Sequence, residues 1–546
     1  MTPTGTASAH TASARMVSGA AASSQARPGG DRILVGADVV TMDPARPSAR
    51  ALGIRGGRIA AVGTAEEVRA ALPPGTPEAD LRGLTVVPGF VDGHCHLEMT
   101  CQALDHHVFV QAPPVTSLHE ILNRIVEERA ARPTGWLIFR SSFMLQDKVV
   151  EGRLPDREDL DRVSPAEPVV VLAGLHVACL NSVALAELGL LGDADLPGWM
   201  TVHRRADGEP TGVVTEVWDR LPVLPADDVV TSLRRHLGGL FVAAGVTSVS
   251  TIPTSAQDVR ALHRLAAAGE LPLRVRFYVH VPRVGSLDTV LAWGPGSGFG
   301  DDMLRFGGVK IFVDGEGADG LGTPIDDTKW SRDELFDLVR AADRADVQLF
   351  MHAVTPRAIR LAAEAVAAAR ADRPRPDGPR HRIEHGADYL DPADLPRLRE
   401  IGVGLVTTPH FTRSGGVADP AFQPLRAILD AGIEVIGSSD STGTVPDGIA
   451  PLHNIAAAVT RYGAGGVPSP HRVTAHEALS MFTTWAAHGA HEERHKGAIR
   501  PGTLADLAVL SANPLTVAPE ALDDISVRAT VLGGDVVYGA GEEWAV

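Results

Sequence analysis

Apolar and polar positions alternate with a period of two near both ends of the chain. "RILVGADVVTM" (32–42) alternates, and "ALGIRGGRIAAVG" (51–63) is two short runs around Gly56-Gly57, a hairpin pattern. "DLAVLSANP" (506–514) and "ATVLGGDVVYG" (529–539) repeat the style, with Gly533-Gly534 at the turn. Neither stretch alone has enough strands to bury a face. The two ends are therefore expected to build one small β-sandwich domain from residues 32–87 and 499–546. Between them, apolar runs alternate with helical patterns. The expected strands are 85–92, 246–252, 273–281, 307–313, 347–351, 382–385, 403–408 and 434–438. The segment after Thr355 opens as a helix, with Thr355 as N-cap and Pro356 at the first helical position. Eight strand–helix units make an α/β chain with a (β/α)8 TIM barrel over residues 88–498. The stretch from about 97 to 245 is too long for a plain connection. It reads as an insertion with its own elements, among them the strand in "PVVVLAGL" (168–175).

Residues 1–31 have no helical period and no acid before Asp31, and read as a disordered tail; Met16 is an alternative start. Over 546 residues, 44% hydrophobic and 21% charged positions are ordinary globular usage. A net charge of −17 with no basic block speaks against nucleic acid and anionic membrane as partners and for a small-molecule substrate. A homo-oligomer is compatible with this composition. Cys95, Cys101 and Cys179 are too few for a disulfide framework, which fits a reducing, cytoplasmic setting. Only four lysines occur, Lys148, Lys310, Lys329 and Lys496, so positive charge is otherwise arginine.

In a barrel of this kind the chemistry sits at the carboxyl ends of the strands. The first strand leads to His94 and His96, two apart and so on one face, a pair suited to Zn²⁺ and related ions. Lys310 lies inside the apolar "GVKIFV" (308–313), where a bare ammonium is costly and the pKa falls. A neutral amine can add carbon dioxide to give a carbamate, an anion able to bridge two cations; arginine cannot. His352, His385 (with Arg382 and Glu384 close by) and Asp440 end the fifth, sixth and eighth strands. Together these are the parts of a two-metal hydrolytic centre: cations that polarise a carbonyl and acidify water, and a carboxylate to take its proton.

The chain resembles the amidohydrolase superfamily, and within it the YtcJ-like branch that includes N-substituted formamide deformylases. The segments that carry the resemblance are "VVPGFVDGHCHL", "LHVACLNSVAL", "DGEPTGVVTE", "GGVKIFVDG", "HAVTPRAI", "RIEHGA", "GSSD" and "KGAIRPGTLADLAVLSANPL". It implies a metal-bearing barrel with a companion β-sandwich, and a metal site of His94, His96, Lys310, His352, His385 and Asp440. Lys310 would be carboxylated and bridging, and Asp440 would be both ligand and general base. His385, His176 or His410 would stabilise the oxyanion, and His176 and Asn181 would contact substrate. Where the branch carries serine after the fourth-strand lysine, this chain has Glu316, a further substrate-binding candidate; after His352 it has Thr355-Pro356-Arg357-Ala358 where the branch has Gly-Asp-Arg-Ala, so one acidic group is missing.

The expected activity is metal-dependent hydrolysis of a non-peptide C–N bond in a linear amide or N-formyl amide. One or two divalent ions, Zn²⁺ by the ligand types, would serve. The alternatives are a cyclic amide, a deamination or an ester on the same scaffold, or a non-catalytic binding or regulatory relative.

Overall fold

In the computed structural model, which describes residues 30–142, 144–192, 196, 200–217, 220–314, 328–413, 422–442, 446–461 and 469–539, the run 85–92 is two strands divided at Gly89. Thr85–Pro88 pairs antiparallel with Leu507–Leu510, whereas Phe90–Cys95 pairs parallel with Val246–Thr251. Gly89 makes the passage. Its N–H donates to the Asp506 carbonyl, and a Cβ there would meet Thr247 Oγ1 at 2.3 Å. Alternation could not reveal the break, because both halves are buried and apolar.

The barrel follows from Phe90–Cys95 through Val246–Thr251, Arg274–His280, Leu304–Phe312, Gln348–His352, Arg382–Glu384 and Gly404–Thr407 to Val435–Gly437, each parallel to the last. The eighth strand meets the first at glycine. A Cβ on Gly93 would lie 2.3 Å from Ile436 Cγ2 and 2.7 Å from the Gly437 carbonyl. Just beyond, the Asp440 N–H donates to the His94 carbonyl at 2.9 Å. The nearly closed ring thus brings its first and last strand ends together.

Helices cover the outside as their sequences specify. Arg332–Arg344 starts with a Ser331–Glu334 capping box. Pro356–Asp372 starts with Thr355 accepting from the Ala358 N–H. Leu335, Leu338 and Val339 of the one and Ile359, Ala362 and Val366 of the other are buried in one core. Each large side chain so buried contributes about 1.5–3 kcal/mol. No described helix is long and apolar enough to cross a membrane.

Strands from both chain ends share one sheet, in the order Asp535–Tyr538, Val527–Leu532, Leu507–Leu510, Thr85–Pro88, Arg32–Val40, Ser48–Arg55, Arg58–Gly63. The buried pair Arg274–Asp506, at 2.6 and 2.9 Å, ties it to the barrel. A third sheet of six strands lies between the first two barrel strands, in the order Thr201–Arg204, Pro210–Thr215, Val177–Leu180, Val169–Ala173, Leu137–Ser141, Val108–Phe109. Val170 and Leu172 of this inserted sheet share an apolar cluster with Phe312 at the end of the fourth barrel strand. The insertion is therefore packed on the barrel mouth. The expected tail, residues 1–29 of it, and Glu316 lie outside the described residues.

Candidate active site

The ends of the first and sixth strands converge on Asp440 at the end of the eighth. Nε2 of His94 and of His96 lie 3.5 and 3.4 Å from Asp440 Oδ1, and His385 Nε2 lies 4.0 Å from Oδ2. His352 completes the ring, its centroid 4.9 Å from that of His385. Among the described residues, His94, His385 and Asp440 offer ligand atoms within 4.8 Å of one another. His385 and Asp440 hold φ of +64° and +44°, a costly conformation for residues with a Cβ, which persists where the surroundings enforce it.

The donor chemistry fits a borderline divalent cation. Nε2 of His94 and of His352 is buried without a hydrogen-bond partner, a state expected of a ligand atom rather than of a core histidine. Burial, and then the charges of Lys310 and His385, hold both imidazoles neutral, the form that binds metal. Asp440 stays below the usual carboxylate range; burial opposes this, but His96 and His385 outweigh it. Lys310 is 1% exposed, with Nζ 4.9 Å from the Phe312 ring centroid. Burial pushes its ammonium down to about 8, while Glu384 and Asp440 pull the other way. Neutral amine is thus accessible near neutral pH.

A supporting layer was only partly visible in sequence. Glu384 accepts from His94 Nδ1 at 2.6 Å and from Arg382 at 2.8 and 3.0 Å. Arg382 also donates to the Gly93 carbonyl and stacks 3.7 Å above Phe350. This relay fixes the His94 tautomer so that Nε2 faces Asp440. Arg382 and Glu384 are two apart on a strand, so the alternation in "RIE" was the signal. Glu384→Ala should weaken metal binding by about 10–100-fold, measured by chelator competition; unchanged affinity would contradict the relay. Asp92 Oδ1 accepts from the backbone N–H of Ser439 and of His94, gripping first and last strand ends together, and burial raises its carboxyl to about 7. Asp388 lies 3.6 Å from His385 Nδ1, and Asp314 anchors the turn after His352 through the Val354 and Thr355 N–H groups.

The other candidates separate. His176 reaches the site: its ring centroid is 5.5 Å from that of His352, and its Nδ1 lies 2.8 Å from Glu216 Oε1. Lys329 pairs with the same oxygen at 3.1 Å. Glu216, at φ +59°, follows the strand Pro210–Thr215; an acid closing an apolar run was the available signal. His410 is adjacent, but its Nε2 donates to the Ser439 carbonyl at 3.0 Å, so it braces the loop bearing Asp440 instead of facing an oxyanion. Asn181 does not meet substrate. Its Oδ1 accepts from Ala184 and Val169 and its Nδ2 donates to the Ser164 and Glu167 carbonyls, capping the helix Ser182–Glu187. Every hydrogen-bonding position of that amide is used.

Glu98, two residues past His96, is buried with Thr251 donating to Oε2 at 2.8 Å and Oε1 unpartnered. Burial, and then Asp258, push its carboxyl from 4.5 up to about 8. The folded state keeps a proton that the unfolded chain releases, so this group's contribution falls as pH rises from about 4.5 to 8. In thermal melts of metal-free protein, Glu98→Gln should raise Tm at pH 8 and hardly at pH 5; equal shifts at both would contradict the assignment.

Residues 78–538 match the model of the amidohydrolase family. The chain belongs to that family. A short second match, to an imidazolonepropionase-like composite domain, covers residues 51–73 within the terminal sheet. Among curated relatives, the amidohydrolase is 29% identical to N-substituted formamide deformylase of Arthrobacter pascens, over 93% of this chain and 98% of that protein. It is 27% identical to YtcJ of Bacillus subtilis, over 85% of this chain and 91% of that protein. Among solved structures it is similar to an uncharacterized metal-dependent hydrolase of Pyrococcus furiosus, with TM-score 0.66 and 25% identity, covering 89% of this chain and all of that one (100%). The amidohydrolase is thus a hydrolase of C–N bonds other than peptide bonds, in a metal-dependent family, and it resembles the YtcJ-like branch over most of its length.

Proposed function

We propose that the amidohydrolase cleaves linear amides, N-formyl amides foremost, at a centre held by His94, His96, Lys310, His352, His385 and Asp440. The observation that carries this reading is the convergence of the buried His94, His96 and His385 on Asp440, with Nε2 of His94 and of the neighbouring His352 buried without a hydrogen-bond partner. The likeness to a formamide deformylase along nearly its whole length supports the N-formyl preference. Imidazole, carboxylate and lysine carbamate suit Zn²⁺, and a carbamate on Lys310 would give the site a bridge for two ions.

Divalent cations bound there supply a Lewis acid for the carbonyl and lower the pKa of water to near neutrality. Asp440 receives the proton of the attacking water and delivers it to the leaving nitrogen, the step without which an amine is a poor leaving group. His176, oriented by Glu216 and Lys329, supports the developing charge on the carbonyl oxygen. His385 remains oriented through Asp388. The inserted sheet packs against Phe312 and gives this end of the barrel an apolar wall.

The test is turnover by zinc-loaded protein on a matched panel of N-formyl amines, N-acetyl amines, cyclic amides and carboxylic esters, with amine and acid release followed. Linear amides should be cleaved, the N-formyl series fastest. Turnover confined to esters or cyclic amides would overturn the reading.

A further inference from the structure

The insertion carries one charge that the chemistry above does not use. Arg140, on the strand Leu137–Ser141, is 3% exposed. Its Nε donates to His107 Nδ1 at 2.8 Å, and its Nη1 is buried without a hydrogen-bond partner. His107 brings no negative charge, and burial together with Arg140 holds its pKa far down. No described carboxylate pairs with Arg140, and burial pushes the guanidinium down to about 10 with nothing to offset it. Three buried arginines of the barrel face carboxylates, Arg274 with Asp506, Arg276 with Glu492 and Arg382 with Glu384. A fourth, Arg461, spends its donors on the Gln423 and Phe422 carbonyls, whereas Nη1 of Arg140 has neither. A buried cation without a counter-charge is costly, and none of the described residues supplies the anion.

The position of Arg140 says where that anion comes from. Arg140 is two residues beyond Ile138 and directly opposite Leu172, so all three share one face of the inserted sheet. Ile138 and Leu172 on that face pack with Phe312, whose ring centroid is 4.5 Å from that of His352. At the same strand ends the Ser141 carbonyl accepts from Gly174, two residues before His176. The strands ending at Phe109, Ser141 and Ala173 are mutually parallel, and ligands of open α/β sheets bind outside such carboxyl ends. A second unsatisfied donor stands on the neighbouring loop. Gln111 Nε2 is buried and unpartnered, while its Oε1 accepts from Ser142 at 2.9 Å.

We propose that Arg140, assisted by Gln111, binds a carboxylate carried by the substrate, so that the amide cleaved has an acidic group on one of its halves, as an N-acyl amino acid does. The planar guanidinium suits a carboxylate better than a neutral acceptor. This assignment rests on the reading of the barrel mouth as an amide-hydrolysing site, but it is testable without turnover. N-methanesulfonyl glycine and leucine resist hydrolysis and differ from their carboxamides only in the acid. Calorimetry on zinc-loaded full-length protein should show the acids binding at least about tenfold more tightly than the carboxamides. In Arg140→Met the preference should vanish while metal content and Tm hold or rise, because an uncompensated buried charge has been removed. Arg140→Lys, which keeps the charge and loses the fork, should keep a reduced preference. Equal binding of acid and carboxamide by the unsubstituted protein would overturn the proposal. So would a preference undiminished in both variants, or a fall in metal content or Tm in Arg140→Met, which would make Arg140 a structural partner of His107. Acids bound but N-formyl-leucine left uncleaved would contradict amide hydrolysis alone; neutral amides cleaved with no preference for acids would contradict the carboxylate site alone.

Discussion

Lys310→Ala loses bound metal and turnover together, with kcat/KM falling by about 10³-fold or more, equivalent to about 4 kcal/mol of transition-state stabilisation. The residue is enclosed within the fourth barrel strand, and burial brings its pKa to about 8. On the proposed reading, carbon dioxide would add to the neutral amine with loss of a proton, and the resulting carbamate would replace a costly buried cation with an anion able to hold cations. Lys310→Arg fails as badly, because guanidinium stays protonated and forms no carbamate. A short carboxylic acid supplied to Lys310→Ala should restore part of the activity by taking the carbamate's place. Elemental analysis and steady-state kinetics on the two variants check this. Near-normal turnover in Lys310→Arg would show that the ammonium has another role.

Asp440→Asn should reduce kcat by about 10²–10⁴-fold, the range of a positioned acid–base group, with a smaller loss of bound metal. Asparagine keeps the shape and one ligand oxygen but cannot accept the water's proton. His96 and His385 hold the Asp440 carboxyl below its usual range against the pull of burial, so it is ionised and ready at neutral pH. Kinetics and metal analysis on the same preparation separate the two roles. Loss of metal in proportion to kcat would make Asp440 a ligand only.

The parts of this site that could be read from sequence are those whose residue types contradict their surroundings. A lysine inside "GVKIFV" and histidines or an aspartate where apolar runs stop have few structural reasons to be there. The structure brings the histidines and Asp440 to one place because parallel strands end at one face of the barrel. Other features lacked such contrast. The passage at Gly89 lies between two apolar stretches and is determined by the close approach of Thr247, a contact distant in sequence. Asn181 was drawn toward substrate by resemblance, whereas the N-cap preference of asparagine before "SVAL" was the physical signal. Lys329 and Glu216 meet only because the insertion folds onto the barrel mouth. Arg140 looked like one arginine among many until its burial and missing partner were seen.

Metal removal and return test the central claim most directly. The protein is stripped with a chelator, titrated with zinc in the presence of bicarbonate, and assayed at each step for bound metal and for hydrolysis of an N-formyl amine. Activity should be absent in the stripped protein and rise in proportion to metal bound, and a His94→Ala/His96→Ala variant should take up neither metal nor activity. Full turnover by metal-free protein, or by that double variant, would contradict the account.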